Sequence, residues 1–222
     1  MGAVVVKVLE TNFINHDIKR FVVEKPPGYT FIPGQGTELS INTEQWKNQL
    51  RPFTFTSRPE MDYLEFMIKI YPKNKGVTNA LGAVNAGGEL ILHDVIGAIQ
   101  YKGPGIFFAG GSGITPFIAI FRDLYNKKAI KGNKLIFSNK TSDDIILFDE
   151  LTKMLRDNYL NILTRENNIG FIERRIDRNF LIDTIADFNQ NFYVCGPADF
   201  VNNIVTNLKD LGAKTDSLIF ES

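Results

Sequence analysis

The spacing of apolar positions changes near residue 101. Before it, short apolar runs at 4–9, 18–23, 36–41, 51–57, 63–70 and 88–92 are separated by turn residues, which predicts antiparallel strands closing into a barrel or sandwich. In the run 63–70, Leu64, Phe66, Ile68 and Ile70 alternate with Tyr63, Glu65, Met67 and Lys69, so one face of that strand is predicted to be buried. Pro26, Pro27, Gly28, Pro33 and Gly34 interrupt the chain between the second and third strands.

Beyond residue 101 the apolar runs 106–109, 135–137, 160–163, 192–194 and 218–220 recur at the spacing of a βαβ unit. Phe200, Val201, Ile204, Val205, Leu208 and Leu211 form one helical stripe, and Gly212 stands where a helix stops. The fold class is therefore two-domain: an antiparallel β-barrel over 1–101, then an α/β domain over 102–222 whose five parallel strands leave a ligand crevice at their carboxyl ends.

Composition narrows the function. The chain has 222 residues, 44% of them hydrophobic, which supplies a packed core and no room for a third domain. Lys plus Arg and Asp plus Glu are 25 each. They divide as ten and ten before residue 101 and fifteen and fifteen after it, so neither half has a field to gather nucleic acid or anionic lipid. The one cysteine, Cys195, excludes an internal disulfide, a CxxC pair and a cluster held by four thiolates. Lys7 and Glu10 interrupt what a secretory signal would need. The uncharged stretch 103–121 is broken by five glycines and two prolines, so it reads as strand, loop and helix start and not as a membrane span. A cytoplasmic monomer is expected. His16 and His93, far apart in the chain, make no metal cage.

Three motifs carry chemistry. The run 107–116 passes from a strand through Gly110, Gly111, Ser112, Gly113 and Ile114 to Thr115 and Pro116. Small residues there admit a ligand to the backbone, and the helix start offers N–H groups to a pyrophosphate, with Thr115 as N-cap and Pro116 as first helical residue. A tight turn without a ligand is the alternative. In Arg51-Pro52-Phe53-Thr54-Phe55-Thr56-Ser57, alternation separates Arg51, Phe53, Phe55 and Ser57 from Thr54 and Thr56. An arginine for phosphate, an aromatic ring for stacking and a hydroxyl for a ring nitrogen suit a flavin, although the run alone is an ordinary strand. Cys195-Gly196-Pro197 ends a strand at the level of the crevice, where a cysteine is either a small hydrophobe or a working residue.

In order and spacing these motifs resemble the ferredoxin/flavodoxin-NAD(P) reductase family almost end to end. That family is marked by Arg-x-Tyr-Ser, Gly-x-x-Ser, Gly-x-Gly-Ile-x-Pro and Cys-Gly-Pro. Here the marks read Arg51-Pro52-Phe53-Thr54, Gly76-Val77-Thr78-Asn79, Gly111-Ser112-Gly113-Ile114-Thr115-Pro116 and Cys195-Gly196-Pro197, with Phe220-Glu221 near the end. The resemblance implies a Greek-key flavin-binding barrel joined to a nicotinamide-binding domain, with FAD preferred to FMN. It implies that Arg51 meets flavin phosphate, Phe53 packs on the ring and Thr54 bonds its reactive nitrogen. Pro52, Ser57, Lys69, Tyr71 and Thr115 join the cofactor contacts, Gly76, Val77 and Thr78 cap the pyrophosphate, and Phe220 is the candidate shield of the ring. The glycine loop, Asn139, Lys140, Arg165, Gly196 and Pro197 would hold the nucleotide. Cys195 and Glu221 would stand beside the nicotinamide.

The implied activity is hydride transfer from NADPH or NADH to the flavin, followed by single electrons to a flavodoxin or ferredoxin, because no cluster resides in this chain. Thr164-Arg165-Glu166 resembles the phosphate-binding run of NADP-dependent relatives and inclines the reading to NADPH. Lys69, Lys73, Lys75, Arg174, Arg175 and Arg178 are candidates for a basic patch facing an acidic partner, or are solvated charges. A free-flavin or small-acceptor reductase and a non-catalytic electron-relay subunit are the alternatives.

Overall fold

The computed structural model describes residues 2–73, 75–97 and 99–221. Two compact units form, one from Met1–Gly97 with Thr115–Asp123 and the other from Ala98–Ile114 with Leu124–Ser222.

The first unit is an antiparallel sheet of β1 (Val4–Phe13), β2 (Ile18–Glu24), β3 (Gly36–Ile41), β4 (Arg51–Thr54), β5 (Tyr63–Lys69) and β6 (Glu89–Ile96), in the order β4-β3-β6-β1-β2-β5. Its two ends meet just past β4. There the Thr56 N–H donates to the Glu65 carbonyl over 2.8 Å, and the Ser57 Oγ accepts from the Glu65 N–H over 3.0 Å. Phe55 sits at the centre of the core, with Phe31 at 4.2 Å, Phe66 at 5.2 Å and Tyr29 at 5.9 Å between ring centroids. β1 runs four residues past its expected end because Asn12 and Phe13 pair with Arg20 and Lys19, although that stretch is largely exposed.

The expected one-sided burial of the fifth strand is corrected. Leu64, Phe66 and Ile68 fill the core, but Glu65 and Met67 on the opposite face are only 3% and 4% exposed. Glu65 is covered there by arginine side chains.

The second unit is a parallel sheet of β7 (Gly105–Gly110), β8 (Lys134–Asn139), β9 (Tyr159–Leu163), β10 (Ile172–Glu173), β11 (Asn191–Cys195) and β12 (Leu218–Glu221), in the order β10-β9-β8-β7-β11-β12. The five expected strands are present, and a sixth of two exposed residues is added at the edge. Ile106, Phe108, Ile136, Ile162, Phe192 and Val194 form one face. They pack on Phe180 and Leu181 of α4 (Arg178–Thr184) and on Val201, Ile204 and Leu208 of α5 (Ala198–Asp210). The predicted stripe of α5 is the buried one, and Gly212 ends it at φ +97°. Below the sheet's amino end, the Phe107 and Tyr193 rings stack at 4.1 Å, and the Tyr193 hydroxyl donates to the Gly103 carbonyl and accepts from the Lys102 N–H. α3 (Phe148–Leu155) follows β8.

Helix α2 (Thr115–Asn126) follows a 3-10 turn, Gly111–Ile114. Thr115 is thus the first residue of the helix and not the residue before it, with Pro116 second, a shift of one position from the expected cap. α1 (Val77–Leu81) belongs to the first unit. Among the described residues no helix is long and apolar enough to cross a membrane.

Candidate functional site

The carboxyl edge of the parallel sheet carries several of the candidate residues of the second unit. β8, β11 and β12 end on Asn139, Cys195 and Glu221. In register, Ala109 pairs with Cys195 and Cys195 with Glu221, while Ala109 also pairs with Phe137. Paired residues share a side and alternate residues return to it, so Cys195, Glu221 and Asn139 all project from one face. Burial pushes the Cys195 thiol up to about 12, the Glu221 carboxylate adds to this, and the Gly196 N–H opposes it. Both carboxamide atoms of Asn139, which is 5% exposed, and the Oε2 of Glu221 are buried without a hydrogen-bond partner among the described residues.

The two glycine motifs meet backbone to backbone. A Cβ placed on Gly113 would lie 2.4 Å from the Cys195 carbonyl oxygen and 2.6 Å from the Gly196 Cα. One on Gly196 would meet the Phe200 ring at 2.9 Å and the Gly110 Cα at 3.1 Å. Gly111 needs glycine for another reason, since its φ is +53° while the space around it is open among the described residues. The loops after β8 and β9 are tied as well. The Arg165 N–H donates to the Lys140 carbonyl, and Thr164 donates to the Asn139 carbonyl through its N–H and its hydroxyl. Glu166 accepts from the Ser142 N–H at 2.7 Å and from its hydroxyl at 2.9 Å. Asn139, Lys140, Arg165, the glycine loop and Cys195-Gly196-Pro197 therefore share one edge of one sheet.

In the first unit, Arg51 and Pro52 are exposed on β4 and Phe53 is half-buried. Phe53 pairs with Thr37, whose side chain is wholly buried, so its ring packs against the barrel core and leaves only part of itself uncovered. The Thr54 and Thr115 hydroxyl oxygens lie 2.8 Å apart. Ser57 is buried and spends its hydroxyl oxygen on barrel closure. Lys69 pairs with Asp17 at 2.6 Å, and Tyr71 is exposed. Gly76 opens α1 in an extended conformation, Val77 is buried and Thr78 is half-buried. In the second unit Phe220 is 47% exposed on the edge strand β12. Arg174 is engaged by Asp177 and Asp183 and lies over the Phe180 ring.

Three residues that position these elements were not read from the sequence. Arg122 of α2 donates to the Thr56 carbonyl at 2.8 Å and to Glu65 at 2.6 Å, while Arg20 reaches the other oxygen of Glu65 at 2.6 Å. Burial opposes ionisation of Glu65, but Arg122 first, then Arg20 and Thr56, outweigh it and hold the carboxyl below its usual value. Lys19, lying over Phe13 and Phe21, donates to the Gly82 and Val84 carbonyls at the end of α1. Only the apolar surroundings of these charges, Lys19 and Arg20 in β2 and Arg122 in α2, could have flagged them.

Residues 107–206 match the family described as Oxidoreductase NAD-binding domain. The chain is 28% identical over 216 residues to NADH-cytochrome b5 reductase 2 of Mycosarcoma maydis, a match of 86% of this chain and 60% of that protein. It is 26% identical over 227 residues to NADH-cytochrome b5 reductase 1 of Arabidopsis thaliana, covering 93% of this chain and 79% of that one. Among solved structures, a ferredoxin NADP+ reductase from Neisseria gonorrhoeae with bound FAD and NADP superposes with a TM-score of 0.87 at 18% identity, over 100% of this chain and 98% of that one. The flavohem-like FAD/NAD-binding domain of a nitric oxide dioxygenase from Vibrio cholerae gives 0.86 at 18% identity, over 98% and 97%.

Proposed function

We propose that this chain is a flavin-dependent NAD(P)H oxidoreductase passing single electrons to a separate small redox protein, a reading supported by its match to the oxidoreductase NAD-binding domain family, by its cytochrome b5 reductase relatives and by its ferredoxin reductase fold neighbour. The observation that carries this is the contact of Gly113 with Cys195-Gly196, which makes one backbone floor of two motifs 82 positions apart. The residues fit a nicotinamide nucleotide: only glycines leave room on that floor, and the unpartnered carboxamide of Asn139 has a donor and an acceptor to give. They fit FAD in the exposed Arg51, the partly uncovered Phe53 ring and the Thr54 hydroxyl.

FAD, when bound, accepts a hydride and releases electrons one at a time. The chain's own residues bind and orient. Arg51 holds phosphate, and Phe53 offers a ring edge. Thr54 presents a hydroxyl that donates or accepts. Gly76–Thr78 turn backbone N–H groups toward the pyrophosphate. The glycine loop, Lys140 and Arg165 hold the nucleotide. Cys195, kept as a neutral thiol, packs beside the nicotinamide without placing charge there, and Glu221 sits next to it to take or give a proton. Arg165 supports NADPH, and the names of the cytochrome b5 reductase relatives support NADH and a cytochrome b5-like haem acceptor. The ferredoxin reductase neighbour supports ferredoxin, and flavodoxin is the further candidate as a one-electron acceptor of the same kind.

Anaerobic addition of NADPH or NADH to the FAD-loaded protein tests the reading. The yellow absorbance is expected to bleach, faster with the preferred nucleotide, and Cys195→Ala is expected to slow bleaching while leaving FAD bound. Reoxidation by flavodoxin, ferredoxin or cytochrome b5 then identifies the acceptor. Bleaching without turnover of any protein acceptor points to a reductase of free flavin or small acceptors. Bound flavin that neither nucleotide bleaches points to a relay subunit.

A further inference from the structure

The pairing of β8 with β9 continues past the ends of both strands. Beyond the last register pair, Asn139 with Leu163, the Thr164 N–H donates to the Asn139 carbonyl at 3.0 Å and the Arg165 N–H to the Lys140 carbonyl at 2.9 Å. One step further a side chain takes the place of a backbone group. The Oε2 of Glu166 accepts from the Ser142 N–H at 2.7 Å, the Ser142 hydroxyl lies 2.9 Å from Oε1 and 3.1 Å from Oε2, and Oε1 also accepts from the Asn168 carboxamide at 3.0 Å. The turn that presents Ser142 is itself fixed, since the Thr141 N–H and hydroxyl both donate to Asp144 at 3.0 Å. The Ser142 N–H, then its hydroxyl, hold the Glu166 carboxyl below the usual carboxylate range, so it is ionised at neutral pH.

This edge therefore carries two exposed cations, Lys140 and Arg165, with an anion tied back beside them. The strand order β9-β8-β7-β11 puts them on the far side of the glycine loop from Cys195. With nicotinamide at Cys195 and pyrophosphate at the glycine loop, the adenosine half of the nucleotide falls to the loops after β8 and β9. In a dinucleotide crevice an acidic side chain bonds the ribose 2′-hydroxyl of NADH, whereas an arginine receives the 2′-phosphate of NADPH. Arg165 and Glu166, neighbours in the chain, offer both. The oxygens of Glu166 are spent on Ser142 and Asn168, which leaves the choice to Arg165.

We propose that Glu166 is a positioning residue for the 2′-phosphate of the nucleotide: its latch on Ser142 withdraws a carboxylate that would otherwise neutralise Arg165 or bond a 2′-hydroxyl, and it holds Arg165 beside Lys140. The latch thereby selects NADPH over NADH. This rests on the reading of the carboxyl edge as the nucleotide site.

Calorimetric titration of the FAD-loaded protein with 2′,5′-ADP and with 5′-AMP, at one ionic strength, tests the latch without turnover. Wild type is expected to bind 2′,5′-ADP at least about tenfold more tightly, the worth of one charge-assisted contact. Glu166→Gln and Glu166→Ala lose the same charge, but only glutamine keeps an oxygen for Ser142. The Gln variant is expected to hold 2′,5′-ADP within about threefold of wild type and the Ala variant about fivefold more weakly than Gln, with 5′-AMP changed less than about twofold by either. Ser142→Pro removes both donors, and Thr141, extended at φ −133° and ψ 168°, suits the residue before a proline. It frees the carboxylate with its charge and is expected to bind 2′,5′-ADP most weakly, about tenfold below wild type, and adding Glu166→Ala is expected to restore the level of Glu166→Ala alone. Equal 2′,5′-ADP affinities in the Gln and Ala variants, parallel losses of 5′-AMP, a Ser142→Pro variant as tight as wild type, or a wild type without preference for 2′,5′-ADP would overturn the latch while leaving the oxidoreductase reading intact. A wild type that binds neither probe overturns the latch alone if NADPH or NADH still bleaches the flavin, and overturns the nucleotide reading with it if neither does.

Discussion

The Arg122 Nη1 lies 2.6 Å from Oε1 of Glu65, with the two side chains 21% and 5% exposed, at the point where the barrel sheet closes on itself. The Glu65 backbone completes the closure, while its carboxylate draws in Arg20 from β2 and Arg122 from α2. One residue thus joins strand to strand and helix to barrel. Removing Arg122 leaves a buried carboxylate with one of its two cations, and breaking a buried pair in this way costs on the order of 3 kcal/mol. Arg122→Met is therefore expected to lower the unfolding free energy obtained from urea titration by that amount. Adding Glu65→Gln is expected to recover part of the loss, because the uncompensated charge goes with it. A double variant as unstable as the sum of the two singles would refute the coupling.

The same carboxylate gives a pH dependence of definite sign. Its value is depressed in the folded protein from the usual 4.5. The unfolded state therefore takes up a proton first as pH falls, and the stabilisation is fully present above pH 4.5 and lost as pH drops through the folded value. Wild type and Glu65→Gln are expected to differ most at neutral pH and to converge below 4.5. Denaturant titrations at pH 7, 5, 4 and 3 measure this, and a gap that widens toward acid would contradict it.

The outline of both units was legible because it rests on local periods. Alternation marked the barrel strands, recurrent apolar runs marked the parallel ones, and the glycine spacing marked where strand passes to helix. What escaped depends on residues distant in sequence. Glu65 belongs by pattern to a wet face and is buried only because Arg20 and Arg122, 45 and 57 positions away, cover it. Alternation separated Phe53 from Thr54 correctly but could not say which pointed inward. The register of Thr37 with Phe53 settles that side as the core. β10 is two exposed residues with no pattern of their own. The candidate site divides likewise. Its motifs were legible singly, whereas the packing of Gly113 on Cys195 and the approach of Thr54 to Thr115 exist only in the fold.

That packing makes the three loop glycines unequal. Gly113→Ala puts a Cβ 2.4 Å from backbone, where no side-chain rotation relieves it, and overpacking of this kind costs up to about 3 kcal/mol. The loop must move off Cys195-Gly196, and nucleotide affinity is expected to fall at least about tenfold, or about 1.4 kcal/mol. Gly111→Ala meets open space and costs only the positive φ, about 1 kcal/mol, with affinity less affected. Titration of both variants with NADPH and NADH, followed by difference absorbance, checks the order. Equal losses at the two positions would show that Gly113 does not serve by contact.

Cys195 is expected to behave as a thiol and not as a thiolate. Burial among apolar groups, reinforced by the neighbouring Glu221, holds it protonated up to about pH 12, so very little reactive anion exists at neutral pH. Alkylation by iodoacetamide is then expected to be slow at pH 7 and to climb about tenfold per pH unit through pH 9 without levelling off. Glu221→Gln removes the adjacent negative charge, which lowers the thiol's value and raises the rate at every pH in that range. Because β12 contributes Glu221 at the end of its pairing with β11, the substitution leaves the backbone ladder untouched. Mass spectrometry of the timed reactions gives the rates directly. A plateau near pH 8, or no acceleration in Glu221→Gln, would mean that the thiolate is stabilised in place and that Cys195 carries charge to the site.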